Sequence, residues 1–494
     1  MLAPLAASKW NDTTAAHLLN RAGFGGPPQE IEKLVALGPE PAVAWFVDYE
    51  KIPDPTADPE WAKPDPTRRE KFETARKADE EERRRLLRQE QQRQRQEMIE
   101  LRGWWLQRMA NGPRPLQEKL VLFWHGHFAT SVEKVRDAYL MWRQNELFRR
   151  LANANWQRLL AEVARDPAML VLLDQAQSRK EHPNENFARE VMELFTLGEG
   201  HYTERDITEA ARAFTGLGFD RLSQRFVERP AQHDDGVKTV LGKTGNLDAD
   251  DVLEQIVAQP QAALFITAKL WNYFAGEMPA VELNTALAAV FRQNGNHFKP
   301  VLRAMFRSEE FYAPTVIRAQ VKSPVQWLVG TARMLETPLP PPFISSGLTR
   351  NLGQELFAPP NVKGWDGGLT WITTNNLLAR YNEAAVLVQG DTTSLAGMNF
   401  GPPNNPNAMN RMVQNRLRDF RLPRVDVNRI LTATERADKA ALVAALEKRL
   451  LHSELKPKQK AALREYLDAQ GALDDGDILG AIRLVMSTPE YQLT

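Results

Sequence analysis

Cysteine is absent from all 494 residues. Its absence removes disulfides, thiolate metal sites, iron–sulfur clusters and the thioether attachment of a c-type haem. An excess of charge is lacking too: 63 Lys and Arg stand against 63 Asp and Glu, with a pI near 7.1. A balanced chain has no overall field to draw nucleic acid or an anionic membrane, so neither is expected as a partner. No run of about 18 apolar residues occurs, and no membrane-spanning helix is expected. Met1 to Lys9 lack the charged start and the apolar stretch of a secretory signal. A cytoplasmic location is the default expectation, and a periplasmic or exported one stays open.

What is present is the composition of a folded protein, 43% hydrophobic and 26% charged. The length suits about three domain-sized units or one large helical body. Apolar residues mostly recur at helical spacing, which predicts an all-α fold. A small inserted β-meander is expected at about 217–245. There the short runs Gly218-Phe219-Asp220, Arg225-Phe226-Val227-Glu228 and Lys238-Thr239-Val240-Leu241 are separated by Pro230 and Asp234-Asp235-Gly236. The expected organisation has N-terminal helices (1–50), then a proline-rich connection and a long charged helical arm (51–102). A main helical core (103–390) and a linker with a C-terminal helical segment (391–494) follow, the linker marked by a Gly/Asn/Pro-rich stretch at 396–408.

Residues 67–102 hold 12 basic and 9 acidic residues with few apolar ones, the pattern of a solvated helix. Few aromatics interleave those charges, which argues against an RNA-binding arm. Residues 302–312 align without gaps on 482–492. Each reads as an apolar helix, a Ser or Thr cap, and a new turn with an acid and an aromatic.

Two segments stand out for chemistry. In Phe123-Trp124-His125-Gly126-His127-Phe128, helical spacing points His127 at the core and His125 roughly the opposite way. In Asn184-Glu185-Asn186-Phe187-Ala188-Arg189-Glu190-Val191-Met192-Glu193, the residues Asn186, Glu190 and Glu193 share one helix face. With His201 and His233 further on, this predicts a His/carboxylate site of the kind that holds iron, manganese or zinc. The competing reading is a buried network in which cations pair the carboxylates and the histidines satisfy hydrogen bonds. Paired Glu-x-x-His units are missing, so a di-iron bundle is disfavoured. Gly242-Lys243-Thr244 lacks the spacing of a phosphate loop and reads as a hairpin turn. The loop from Pro359 to Trp371 carries Trp365 and Trp371 as a ligand platform or as a folded turn with packed indoles.

Several of these segments resemble one bacterial family. They are His17-Leu18-Leu19-Asn20-Arg21-Ala22-Gly23-Phe24-Gly25, Leu122 to Ser131, Asn184 to Glu190, Glu193-Leu194-Phe195-Thr196-Leu197-Gly198, Ala211 to Gly216, and Pro359-Pro360-Asn361-Val362-Lys363-Gly364-Trp365. The family is catalogued as domain of unknown function 1800, and the resemblance runs from about 15 to 390. It implies a large, mostly helical bacterial protein and brings no established catalytic residues. It also implies a partner, since genes of this family often lie beside those of domain of unknown function 1501. Members of that second family resemble sulfatases and commonly carry export signals.

Two functional classes follow. The first is a metal-dependent or acid/base enzyme in which His125, His127, Glu190 and Glu193 are catalytic residues or ligands of a divalent metal, with His201 and His233 as outer ligands. The second is a non-catalytic binding or scaffold protein that supports an exported partner.

Overall fold

Local chemistry sets where the helices begin. Proline opens several of them, including Pro28–Leu37, Pro115–His127, Pro260–Ala275 and Pro324–Met334. Its missing N–H falls where a helix start has no acceptor for one, and its fixed φ is already helical. Others start on reciprocal caps: Thr203 with Asp206, Asp248 with Asp251, Asp474 with Asp477. The result is an all-α protein with a small β insertion. The computed structural model describes residues 2–395 and 422–494, and the stretch 396–408 lies outside the described residues.

The insertion is two hairpins in separate sheets, where a single meander was expected. β1 (Leu217–Asp220) pairs antiparallel with β2 (Arg225–Glu228), and β3 (Lys238–Val240) with β4 (Lys243–Gly245). A 3-10 turn at Pro230–Gln232 divides them, because proline has no N–H to give to a continuing ladder. Leu241 and Gly242, at φ 47° and 84°, form the tight turn between β3 and β4. Gly242-Lys243-Thr244 is therefore hairpin backbone.

One cluster of buried apolar side chains runs from Leu5 to Tyr491. Residues 67–102 are not a single arm. They form two helices, Arg68–Lys77 and the start of Glu80–Asn111, divided at Ala78 and Asp79. The Asp79 side chain accepts the Glu82 backbone N–H at 2.8 Å and caps the second helix. The first helix has no buried residue, whereas the second enters the core, burying Leu101, Trp105, Leu106 and Met109.

The internal repeat is structural. The helix Phe298–Arg307 runs into a 3-10 turn whose Phe311 N–H donates to Ser308 Oγ at 3.3 Å. The helix Asp475–Met486 likewise runs into one whose Tyr491 N–H donates to Thr488 Oγ1 at 3.3 Å. Phe311 and Tyr491 are both fully buried. The last residues then join distant segments: Val321 bridges Leu493, and Arg21 Nη2 donates to the Thr494 carbonyl at 2.7 Å.

Candidate functional site

Every residue of the Pro115–His127 helix except Gly126 is buried. A helix hemmed in on all sides leaves neither histidine a route to solvent. His125 packs against Trp105, Phe357 and Trp365, with ring centroids 5.4, 5.1 and 5.6 Å away. Its Nε2 accepts the Phe357 backbone N–H at 2.9 Å. Burial pulls its pKa down to about 3, so the ring is neutral. His127 stacks on Phe123 at 5.8 Å and lies 3.0 Å through Nε2 from the Phe195 carbonyl oxygen. A carbonyl only accepts, so Nε2 carries the proton and Nδ1 presents its lone pair. Lys269 Nζ, 3.4 Å away, donates to that lone pair. Burial, reinforced by the Lys269 charge, holds His127 well below the usual imidazole range.

The helix Glu185–Met192 does not continue as an α-helix through Leu197. It widens into a π turn, Glu193–Leu197, which changes the direction of its carbonyls. Distant side chains take these up: His127 on Phe195, Lys269 on Leu194 at 3.1 Å, Gln261 on Leu197 at 3.2 Å. The two segments pack together, with Phe195 5.2 Å from Phe128 and 6.0 Å from His127. The imidazoles, however, meet backbone groups there.

Glu190 and Glu193 are half-buried. Glu193 Oε2 accepts the Tyr202 hydroxyl proton at 2.5 Å. Burial raises the Glu190 pKa, Glu193 beside it adds to the rise, and Lys363 and Arg189 oppose it. Lys363 belongs to the 359–365 loop, which is seated on the end of the histidine helix. Gly364 has φ 86°, and a Cβ there would collide with the Gly126 carbonyl oxygen. Trp365 is partly buried against His125, in line with a packed turn. His201 is exposed, and His233 donates through Nδ1 to the Thr215 carbonyl at 2.9 Å. Among the described residues no group of three or more His, Asp or Glu is placed to hold a metal ion. The six candidate ligands are not brought together as one set.

An open cleft of about 600 Å³ lies elsewhere, between the helices Ala138–Arg150 and Trp156–Ala164 and the strand β2. Tyr139 and Trp142 stand on its wall with ring centroids 5.8 Å apart and planes inclined by 24°. Phe226 lies opposite, under the Arg165 guanidinium at 5.9 Å. Two ion pairs stand among the charged groups around it. Arg165 holds Asp250 through two hydrogen bonds of 2.8 and 2.9 Å, and Arg150 holds Glu162 at 2.9 Å. The Trp142 indole N–H is buried and has no acceptor. Burial pushes Asp166 at the cleft base up to about 6, against hydrogen bonds from the Met169 N–H and Gln144. A second cavity of about 370 Å³, lined by His233 and Arg229, shares Arg165 and Asp250.

This cleft was missed in the sequence because its walls come from four separate segments. One signal was available. Tyr139, Trp142, Arg143 and Glu146 recur at i, i+3, i+4 and i+7, an aromatic pair on a helix face that is otherwise polar. Lys269 and Gln261 were likewise missed, being ordinary residues of an apolar helix. A family model described as Protein of unknown function (DUF1800) matches residues 17–493. No curated protein and no solved structure matches the chain.

Proposed function

We propose, for a chain that belongs to the DUF1800 family of proteins of unknown function, a ligand-binding role seated in the Tyr139–Trp142 cleft, with a neutral oligosaccharide as the ligand class. The observation that carries this reading is an open cleft walled by Tyr139 and Trp142 and rimmed by the Arg165–Asp250 and Arg150–Glu162 pairs. Aromatic faces take the C–H faces of sugar rings, and paired Arg and carboxylate groups keep lone pairs and N–H groups for hydroxyls. Three arginines and four carboxylates line it, a near balance that leaves little net field to select an ion. What favours binding over a metal-dependent or acid/base role is the use already made of His125 Nε2 and His127 Nε2 on backbone groups.

The test is titration with cellohexaose, xylohexaose and chitohexaose, followed by tryptophan emission and calorimetry. At least one is expected to bind, and Trp142→Ala should weaken its Kd about tenfold, the size of one aromatic contact. Absence of binding to all three, or a Kd unmoved by Trp142→Ala, overturns the assignment.

A second reading rests on a different face. Leu369 and Leu378 are 80% and 62% exposed, and Leu377 and Tyr381 lie exposed on the same helix as Leu378. Such a patch suits a protein partner, and an exported sulfatase-like protein is the candidate. Leu378→Glu should abolish co-purification with it while leaving oligosaccharide binding intact.

A further inference from the structure

The Tyr139–Trp142 cleft has a neighbour at each end. A cavity of about 210 Å³ shares Tyr139 with it, and the cavity of about 370 Å³ shares Arg165 and Asp250. Strand β2 sets their order. Gln224, just before the strand, lines the first cavity, Phe226 lines the cleft, and Glu228 lines the last. Alternate residues of a strand share a face, and the four steps from Gln224 to Glu228 cover about 13 Å. Side-chain contacts agree with that order. Gln224 Nε2 donates to Asp137 Oδ2 at 2.6 Å, at the start of the helix Ala138–Arg150. The Arg165 guanidinium lies 5.9 Å from the Phe226 ring centroid, and its Nε is 3.9 Å from Glu228 Oε1. The end cavities carry groups suited to a sugar. Trp61 lines the first and is partly buried, its indole N–H held by Glu100 Oε2 at 2.9 Å. Three ion pairs stand around it, Lys71 with Asp65, Arg68 with Asp137 and Arg93 with Glu97, at 2.8, 3.2 and 2.9 Å. In the last, His233 spends its Nδ1 proton on the Thr215 carbonyl, so Nε2 keeps a lone pair for a hydroxyl.

We propose that the cleft is the middle of a trough along β2, and that its ligand is an unbranched oligosaccharide long enough to occupy all three cavities at once. The trough rests on the oligosaccharide reading of the cleft. It adds a direction along the strand, a minimum chain length and two end subsites, one at Trp61 and one at His233. A short chain fills the centre alone. A longer one also lays a ring on Trp61 and brings a hydroxyl to His233. The units of one chain are linked, so the cost of association is met once and each further subsite lowers Kd.

The test is calorimetric titration of the intact protein with the trimers and hexamers of the cello-, xylo- and chito-oligosaccharide series. In the series that binds, the hexamer Kd is expected at least about tenfold below that of the trimer. Trp61→Ala should cost the hexamer about tenfold and leave the trimer unchanged, whereas Trp142→Ala should weaken both. His233→Ala, at the opposite end, should also weaken the hexamer alone. Trimer binding at wild-type strength shows that each end variant is folded. Equal Kd values for trimer and hexamer overturn the trough, as does a hexamer Kd unmoved by Trp61→Ala or by His233→Ala. Either result leaves a site confined to the cleft. Absence of binding at both lengths in all three series overturns the cleft reading itself, and the trough with it.

Discussion

The two halves of the helix Glu80–Asn111 use the same residue types in different surroundings. In the first half, Arg84 pairs with Glu80, and Arg93 spans Glu90 at 2.6 Å and Glu97 at 2.9 Å. The side chains of Arg93 and Glu90 are 39% and 44% exposed. In the second half, Arg108 meets Glu118 at 2.9 Å, where the two side chains are 7% and 3% exposed. Arg149 adds bonds to the same carboxylate at 2.7 and 2.8 Å, and the Trp105 indole N–H donates to it at 2.9 Å. The distances are nearly the same in both halves, so geometry does not separate them. Solvent does: exposed pairs exchange one set of favourable contacts for another, whereas a buried carboxylate between two guanidiniums has no water to fall back on.

The largest expected effect comes from breaking the buried half. Glu118→Gln keeps the shape but leaves Arg108 and Arg149 short of counter-charge, and should cost about 3–5 kcal/mol in urea unfolding. A loss below about 1 kcal/mol would mean that Asp54 and Glu146, the remaining partners of the two arginines, suffice alone.

The next effect is on pH. Burial pushes the Glu118 carboxyl up, but Arg149 and Arg108 outweigh it and hold the pKa below the usual carboxylate range. A carboxyl depressed on folding stabilises fully above its unfolded pKa, about 4.3, and that stabilisation is lost as pH falls through the folded value. The stability gap between wild type and Glu118→Gln should therefore be constant from pH 7 to 5 and narrow below about pH 4. A gap independent of pH would remove Glu118 ionisation as its cause.

The smallest effects belong to the exposed half. Arg93→Ala should cost under about 1 kcal/mol and weaken further in salt, and Arg84→Ala should leave Tm unchanged. Loss of more than that at Arg93 would place the first half of the helix in a packed interface.

Much of the fold was legible because it depends on neighbours in the chain. Helical spacing, proline at helix starts, reciprocal caps and the Leu241-Gly242 turn act over a few residues, and each appears where the local pattern places it. The repeat at 302–312 and 482–492 was readable for the same reason, since Ser308 and Thr488 cap turns three residues away. The charged stretch 67–102 was read as one solvated helix, whereas its last turns, from Glu97, are buried. Met98, Leu101, Trp105 and Met109 already show core spacing, but they follow a polar stretch long enough to dilute it.

The candidate site divides differently. Residue order alone named His125, His127, Glu190 and Glu193 as a candidate constellation. It had no means of naming what each ring nitrogen would meet. The π turn at Glu193–Leu197 is held by His127, Gln261 and Lys269, which lie 64 to 75 positions from the carbonyls they take up. A hydrogen-bond partner at that separation is selected by packing, and periodicity carries no record of it. The same holds for the Tyr139–Trp142 cleft, whose opposite walls share no sequence neighbourhood. Local chemistry thus accounts for the helices, their ends and the family membership. Only the assembled core decided that the histidines are neutral and bound to backbone, and that the open surface lies elsewhere, because burial and long-range contacts set protonation and access.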